Sequence, residues 1–195
     1  MLSVSDGVFA FALTLMILTV TVPTPATVPT ADLAASVRRQ WPEFLSYAIS
    51  FWVVATFWFA HRRLFRLVVA DDGVSAWLNM TFLFAITFLP YPTDMAGNYR
   101  DSRFALVFYD VSMVVVSLML TALSEWVTGH PSVTGGPLHP SVRRYERLRA
   151  AATAGPFLLS LALVPLGLPI ARACWLLTAL GYLSLRRVRP VLPRR

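Results

Sequence analysis

The sequence contains no lysine, a single cysteine, and charged residues at only 14% of positions, against roughly 25% in soluble domains. With Cys174 alone, the chain can form no internal disulfide, and no redox or zinc site is indicated. By contrast, 56% of the residues are hydrophobic and the mean hydropathy is +0.61. This composition indicates an integral membrane protein. Its 195 residues leave no room for a sizeable soluble domain, so we expect one membrane domain over residues 1–195.

Six apolar runs predict an all-α, polytopic fold with six transmembrane helices. Prolines follow the first run and occupy the end of the third, where they are expected to stop the helix. The first run has neither a basic leader nor a small-residue cleavage site, so we expect it to remain in the mature protein. The predicted spans are about 3–22, 42–61, 75–93, 104–126, 150–168 and 170–186.

All of the positive charge comes from arginine, and its distribution between the apolar runs predicts the orientation. If the amino terminus is cytoplasmic, twelve arginines lie on the inner side and five on the outer side. Because cytoplasmic loops carry such an excess, we expect a multi-pass protein of the plasma membrane with both termini in the cytoplasm. Arginine that clusters between apolar spans is ordinarily a topology signal, so it does not indicate nucleic-acid binding.

Polar side chains on three spans are predicted to lie at one depth in the membrane. Asp6 is near the start of the first span, His61 near the end of the second, and Trp77 and Asn79 open the third. A carboxylate inside a spanning helix is costly, and an imidazole, an indole and an amide can supply its donors. The pattern predicts a buried interhelical network, which either locks the bundle or lets protonation of His61 tune activity.

The first span has two faces when its residues are placed at 100° intervals around a helix. Asp6 points toward the subunit's own bundle, while an apolar stripe points well away from it. The stripe consists of Phe11, Leu15, Leu18 and Val22, with Thr14 at its edge. The stripe can face lipid, a neighbouring helix or a pore, and periodicity alone favours simple packing.

Three separated motifs resemble the lysosomal transmembrane potassium channel family, most closely its single-repeat bacterial members. The first is residues 4–15, which begin Val4-Ser5-Asp6 and are similar to the family's Phe-Ser-Asp signature. The second is residues 57–66, and the third combines residues 77–79 with residues 88–93. The motifs cover the first three spans, and the last three spans agree by hydropathy and length.

The resemblance implies a homotetramer in the lipid bilayer, with four copies of the first helix around a central potassium pathway. It places the constriction at Phe11, continues the apolar lining with Leu15 and Leu18, and links Thr14 to potassium preference. It also places an interhelical network beside the pore, made of Ser5, Asp6, His61, Trp77 and Asn79. It implies no enzymatic activity, no cofactor, and no metal beyond the potassium ions in transit.

The sequence departs from the family pattern close to the expected pore. Val4 stands where the family usually has phenylalanine, and the family's arginine four residues earlier would fall ahead of Met1. Phe11 stands where the constriction is usually a branched aliphatic residue. Four phenylalanine rings could plug the axis more tightly, or swing aside and leave Leu15 as the narrowest ring.

Selectivity has to arise without a carbonyl filter, because no Thr-Val-Gly-Tyr-Gly segment occurs in the sequence. We expect a hydrophobic constriction on the first helix to gate conduction, with moderate preference for potassium over sodium. The alternative is a proton-coupled secondary transporter that uses Asp6 and His61, which predicts inverted repeats and saturable uptake. A membrane enzyme or scaffold is disfavoured, because the sequence shows no nucleophile–base pair or metal set at membrane depth.

Overall fold

The computed structural model describes residues 2–70, 72–178 and 180–181, and within these ranges it is helical with no β-strand. The all-α prediction is confirmed. The α-helices are α1 (Leu2–Leu15), α2 (Leu33–Arg39), α3 (Trp41–Phe65), α4 (Gly73–Phe88), α5 (Pro90–Asn98), α6 (Arg103–Gly129), α7 (Pro131–Thr134), α8 (Pro140–Leu163) and α9 (Leu168–Ala173). Short 3₁₀ turns lie at Met16–Thr19, Thr30–Asp32 and Val164–Leu166.

Five helical segments of the described chain are long and apolar enough to cross a membrane. They are Leu2–Thr19, Trp41–Phe65, Gly73–Asn98, Arg103–Gly129 and Pro140–Leu166. A shorter apolar helix, Leu168–Thr178, begins the sixth predicted span. Of the rest of that span, predicted to reach residue 186, only residues 180 and 181 are described. The first span ends at Thr19 and not at residue 22, because the backbone becomes extended at Val20 ahead of Pro23.

The third span is two helices in series, and the predicted role of its prolines was wrong. Pro90 and Pro92 do not close the span, because α5 begins at Pro90 directly after Leu89. Proline is tolerated in the first turn of a helix, where its missing N–H would have no intrahelical partner. The span therefore continues to Asn98, five residues beyond the predicted end at 93.

Asp72 caps the start of α4 in a capping box with Ser75. Hydrogen bonds from Ser75 hold the pKa of the Asp72 carboxyl below its usual value. Its Oδ2 also accepts a bond from Nε1 of Trp126 at 3.0 Å, which joins the start of α4 to the last turns of α6. The two helices therefore run antiparallel.

α8 begins at Pro140, well before the predicted start of the fifth span at 150. Its first turns carry four arginines and a glutamate. Because these charges lower the average hydropathy, the segment was predicted to be a loop. Val142 and Tyr145 are nevertheless buried at helical spacing, so one side of this charged segment packs on the bundle. Helix formation here is set by tertiary packing rather than by average hydropathy.

The bundle is organised around α6, which packs against α3, α4, α5 and α8. α1 packs on α3 and α4, while α9 packs on α8 and α6. Side chains from all the described α-helices except α2 meet in the core, among them Phe9, Phe57, Phe82, Met113 and Phe157. The start of α1, the end of α3, the start of α4, the end of α6 and the start of α8 come together at one end of the bundle, named here the α1 end.

Candidate functional site

α1 and the 3₁₀ turn after it have a buried and an uncovered face as far as Leu18, whereas Val22, predicted to continue the stripe, lies beyond the helical segment. One face is buried against the subunit's own bundle through Ser5, Phe9, Ala12 and Met16, at helical spacing of four, three and four residues. The opposite stripe is uncovered: the exposed fraction is 63% for Phe11 and 73% for Leu18. Leu15 is half-buried. An apolar stripe on α1 therefore has no partner within the described protomer.

Thr14 lies on this uncovered stripe and its hydroxyl donates to the carbonyl of Phe11 at 2.8 Å. The bond fixes the hydroxyl proton against the helix, so the lone pairs of Oγ1 are directed away from the backbone. The exposed group that Thr14 presents is consequently an oxygen acceptor. Such an oxygen can replace part of the hydration shell of a cation.

Asn79 connects α1, α3 and α4 at the α1 end. Its Nδ2 donates to Oγ of Ser5 at 3.1 Å, and its Oδ1 lies 2.8 Å from Nε2 of His61. An amide oxygen can only accept, so His61 donates this bond through a proton on Nε2. All three side chains are buried. The structure thus brings together Ser5, His61 and Asn79, three of the five residues predicted for the interhelical network.

His61 is held by aromatic rings as well as by Asn79. Its ring stacks on Phe65 at a centroid distance of 4.3 Å and on Phe82 at 5.5 Å, with Phe9 at 5.8 Å. Its Nδ1 is buried and has no hydrogen-bond partner among the residues that the structure describes. The ring is therefore packed against three aromatic side chains, and within the described residues only its Nε2 takes part in a hydrogen bond.

Asp6 is bound by Trp58 and not by Trp77. Nε1 of Trp58 donates to Oδ1 of Asp6 at 2.7 Å, and the guanidinium carbon of Arg62 lies 5.3 Å from the centre of the Trp58 ring. Trp77 is 76% exposed, because it precedes Asn79 by two residues and so points to the other side of α4. The prediction is corrected: within the protomer, Trp58 takes the place assigned to Trp77.

A buried ion group at the α1 end was missed by the sequence analysis. Nε of Arg63 lies 3.1 Å from Oε1 of Glu146, and NH2 of Arg149 lies 2.8 Å from Oε2 of the same carboxylate. The Arg63 guanidinium also lies over the ring of Tyr145 at 4.6 Å. Arg63 and Arg149 had been counted as loop arginines, yet both are buried between α3 and α8. The available signal was the i, i+3 spacing of Glu146 and Arg149 beside Tyr145.

A second buried carboxylate ties the helices together at the opposite end. Asp110 accepts a bond from Oγ of Ser160 at 2.6 Å and one from Nε1 of Trp175 at 2.8 Å. These bonds join α6 to α8 and to the helical segment after α9. Among the described residues, no group of three or more His, Cys, Asp or Glu side chains is placed to hold a metal ion.

Known proteins share this fold and part of this sequence. The fold matches the crystal structure of a lysosomal potassium-selective channel TMEM175 homolog from Chamaesiphon minutus, with a TM-score of 0.77, 26% identity, and coverage of 94% of this chain and 95% of that chain. A Streptomyces collinus protein named as a potassium channel is 34% identical over 91% of this chain and 87% of its own length. A Chamaesiphon minutus protein with the same description is 38% identical over 61% of this chain and 60% of its own length.

More distant relatives are longer proteins. The human endosomal/lysosomal proton channel TMEM175 is 28% identical over 74% of this chain, which corresponds to 28% of the human protein. The family model described as endosomal/lysosomal potassium channel TMEM175 matches residues 1–90, which hold the uncovered stripe and the Ser5–His61–Asn79 cluster. With a relative 34% identical along nearly its whole length, this chain belongs to the TMEM175 family of ion channels.

Proposed function

We propose that this protein conducts potassium ions along the central axis of a homotetramer lined by four copies of α1. The observation that carries the proposal is the division of α1 into a face buried on its own bundle and an uncovered stripe through Phe11, Thr14 and Leu18. A pore on a shared axis requires a lining helix with one face that its own protomer leaves uncovered. Cyclic symmetry then repeats that face around the axis, once for each protomer. Bacterial relatives named as potassium channels support the choice of ion.

The gate in this proposal is a ring of apolar side chains on α1. Phe11 is the main constriction, because it is 63% exposed while Leu15 is half-buried, and Leu18 continues the lining. A narrow apolar ring excludes water, and stripping an ion there costs on the order of tens of kcal/mol. Conduction therefore begins when the ring widens enough to readmit water.

Selection between potassium and sodium is assigned to Thr14. In the tetramer, four Thr14 hydroxyl oxygens would face the central axis next to the constriction formed by the four Phe11 side chains. They would supply weak ligands to an ion, since each hydroxyl proton is bound to the Phe11 carbonyl of its own helix. Potassium gives up its hydration water more easily than sodium, so weak ligands favour it. Because neither a carbonyl cage nor a charged ring takes part, we expect the preference to be moderate.

The orientation proposed from the arginines places the α1 end in the cytoplasm, in a plasma membrane. Exposed Arg62, Arg66, Arg143, Arg144 and Arg147 gather at this end of the bundle, as the bias toward positive inner loops requires. The five arginines near the carboxyl terminus lie outside the described residues.

Proton conduction is the second candidate, because vertebrate relatives carry the name proton channel. One experiment separates the two: reversal potentials of the purified protein in planar bilayers, measured under a potassium gradient and then under a pH gradient. A reversal potential that follows the potassium gradient supports the proposal. One that follows only the pH gradient contradicts potassium conduction and favours the second candidate.

A further inference from the structure

α8 has an uncovered face that runs from basic residues at the α1 end to an apolar groove further along the helix. At 100° per residue, the members of this face lie within about 60° of one line. They are Arg144, Arg147, Leu148, Ala151, Gly155 and Leu158. All are exposed except Gly155, which is intermediate. The opposite side of α8 carries the buried Glu146, so the helix is polarised between core and surroundings.

The basic end of this face carries more positive charge than its acidic neighbour can neutralise. Arg147 donates to both carboxylate oxygens of Glu125, at 2.7 and 2.9 Å, and NH2 of Arg143 lies 3.9 Å from the same carboxylate. One carboxylate thus serves two guanidinium groups, whose side chains remain 59% and 45% exposed. Arg144, next to them in sequence, is exposed as well. A phosphodiester can reach these donors from outside the bundle.

The apolar part of the face is a groove with a floor of small residues. A methyl group built on Gly155 would meet no atom within 4 Å, and Ala151 one turn earlier is exposed. Leu148 and Leu158 stand at the two ends of this floor with exposed fractions of 48% and 52%. From Arg144 to Leu158 the helix rises by about 20 Å, more than the roughly 15 Å of one hydrocarbon leaflet.

We propose that this face is a binding site for an anionic phospholipid. The phosphodiester lies against Arg143, Arg144 and Arg147, and an acyl chain lies along Ala151 and Gly155. The occupant is a lipid and not a second copy of the chain, because α8 packs mainly on α6 and α9 and meets α3 only through its buried side, whereas α1 packs on α3 and α4. If α1 faces the tetramer axis, this face of α8 is directed outward to the bilayer. Only this statement about the direction of the α8 face rests on the proposed function.

Lipid retention tests the site. The purified full-length protein is reconstituted in nanodiscs of equimolar phosphatidylglycerol and phosphatidylcholine. It is then released under mild conditions, and the lipids that remain bound are counted by native mass spectrometry. We expect phosphatidylglycerol to be enriched, with the enrichment falling about fivefold for each arginine removed in Arg143→Gln/Arg144→Gln. The control is Arg38→Gln/Arg39→Gln, a second pair of adjacent exposed arginines that lies in α2, and it should leave the enrichment unchanged.

Several results would overturn the site. One is equal retention of the two lipids, and another is an Arg143→Gln/Arg144→Gln variant that retains phosphatidylglycerol as the wild type does. Displacement of the enrichment by millimolar inorganic phosphate would indicate a free-phosphate site. Crosslinking of Gly155→Cys between protomers, in a Cys174→Ser background, would indicate a second copy on this face. Retention is measured without ion flux, so its failure is distinguishable from failure of the proposed pore.

Discussion

Nε1 of Trp58 donates to Oδ1 of Asp6 at 2.7 Å, and this bond anchors α1 to α3. The carboxylate is thereby turned into its own protomer, on the side of α1 away from Phe11. With Ser5 bound to Asn79 one residue earlier, the start of α1 is fixed to two helices at once. The rotation of α1 about its axis, and hence the stripe that it leaves uncovered, follows from these contacts.

Removal of the Trp58 donor should destabilise the protein and loosen α1. Trp58→Phe leaves a half-buried carboxylate without its indole partner, at an expected cost of about 1–2 kcal/mol. Trp77→Phe is the matched control, because the same substitution then falls on a 76% exposed side chain. Thermal unfolding in detergent should show a lower Tm for the first variant and little change for the second. Equal Tm values would contradict the placement of Asp6.

A smaller side chain at the constriction should raise the basal current. Phe11→Ala opens the proposed apolar ring, and Leu15→Ala should have a smaller effect because Leu15 is half-buried. Phe104→Ala, on α6 and 68% exposed, is the control and should leave the current unchanged. Potassium currents in planar bilayers provide the measurement. Unchanged currents in both α1 variants would reject the gate.

Loss of the Thr14 hydroxyl should weaken the preference for potassium. Thr14→Val keeps the shape of the side chain but removes the oxygen, so the permeability ratio of potassium to sodium should fall toward 1. Thr81→Val is the control, since the Thr81 hydroxyl is also exposed and donates to a carbonyl of its own helix, that of Trp77 four residues earlier, at 2.9 Å. Bi-ionic reversal potentials measure both ratios. A normal ratio in Thr14→Val would remove Thr14 from selection.

The buried ion group should depend strongly on its one carboxylate. Glu146→Gln leaves the buried guanidinium groups of Arg63 and Arg149 without their counter-charge, and loss of one partner in such a group costs about 3–5 kcal/mol. Glu125→Gln makes the same change in an exposed group with Arg143 and Arg147, where each exposed ion pair contributes about 0–1 kcal/mol. Thermal unfolding of both variants should separate them clearly. A similar loss of stability in the two variants would contradict the burial of the Glu146 ion group away from water.

Periodicity and depth predicted part of the site from the sequence. The 100° spacing of helical residues separates Asp6 from the stripe of Phe11, Leu15 and Leu18, and the need of buried polar groups for hydrogen-bond partners brings His61 to Asn79. Depth along the membrane could not decide between Trp58 and Trp77, because that choice depends on how α3 and α4 are rotated about their axes. Rotation is set by packing across helices, which a single sequence does not display.

The charged start of α8 shows the other limit. Hydropathy averages treat Arg149 and Glu146 as polar wherever they lie, although a paired charge can be buried. The contacts of Glu146 with two arginines, together with the burial of Val142 and Tyr145, show that one side of this segment packs on the bundle. The misplaced end of the third span has a different cause: Pro90 was expected to stop a helix, but it begins one, and a proline is tolerated in the first turn.

The central claim is that the uncovered α1 stripes of several protomers surround one ion pathway. Block of the current by cadmium bound to a cysteine at position 11 tests it most directly. Phe11→Cys in a Cys174→Ser background is recorded in planar bilayers before and after cadmium is added. The account predicts that cadmium blocks the potassium current of Phe11→Cys and spares Phe104→Cys. A Phe11→Cys current that cadmium leaves intact would contradict a pore lined by α1.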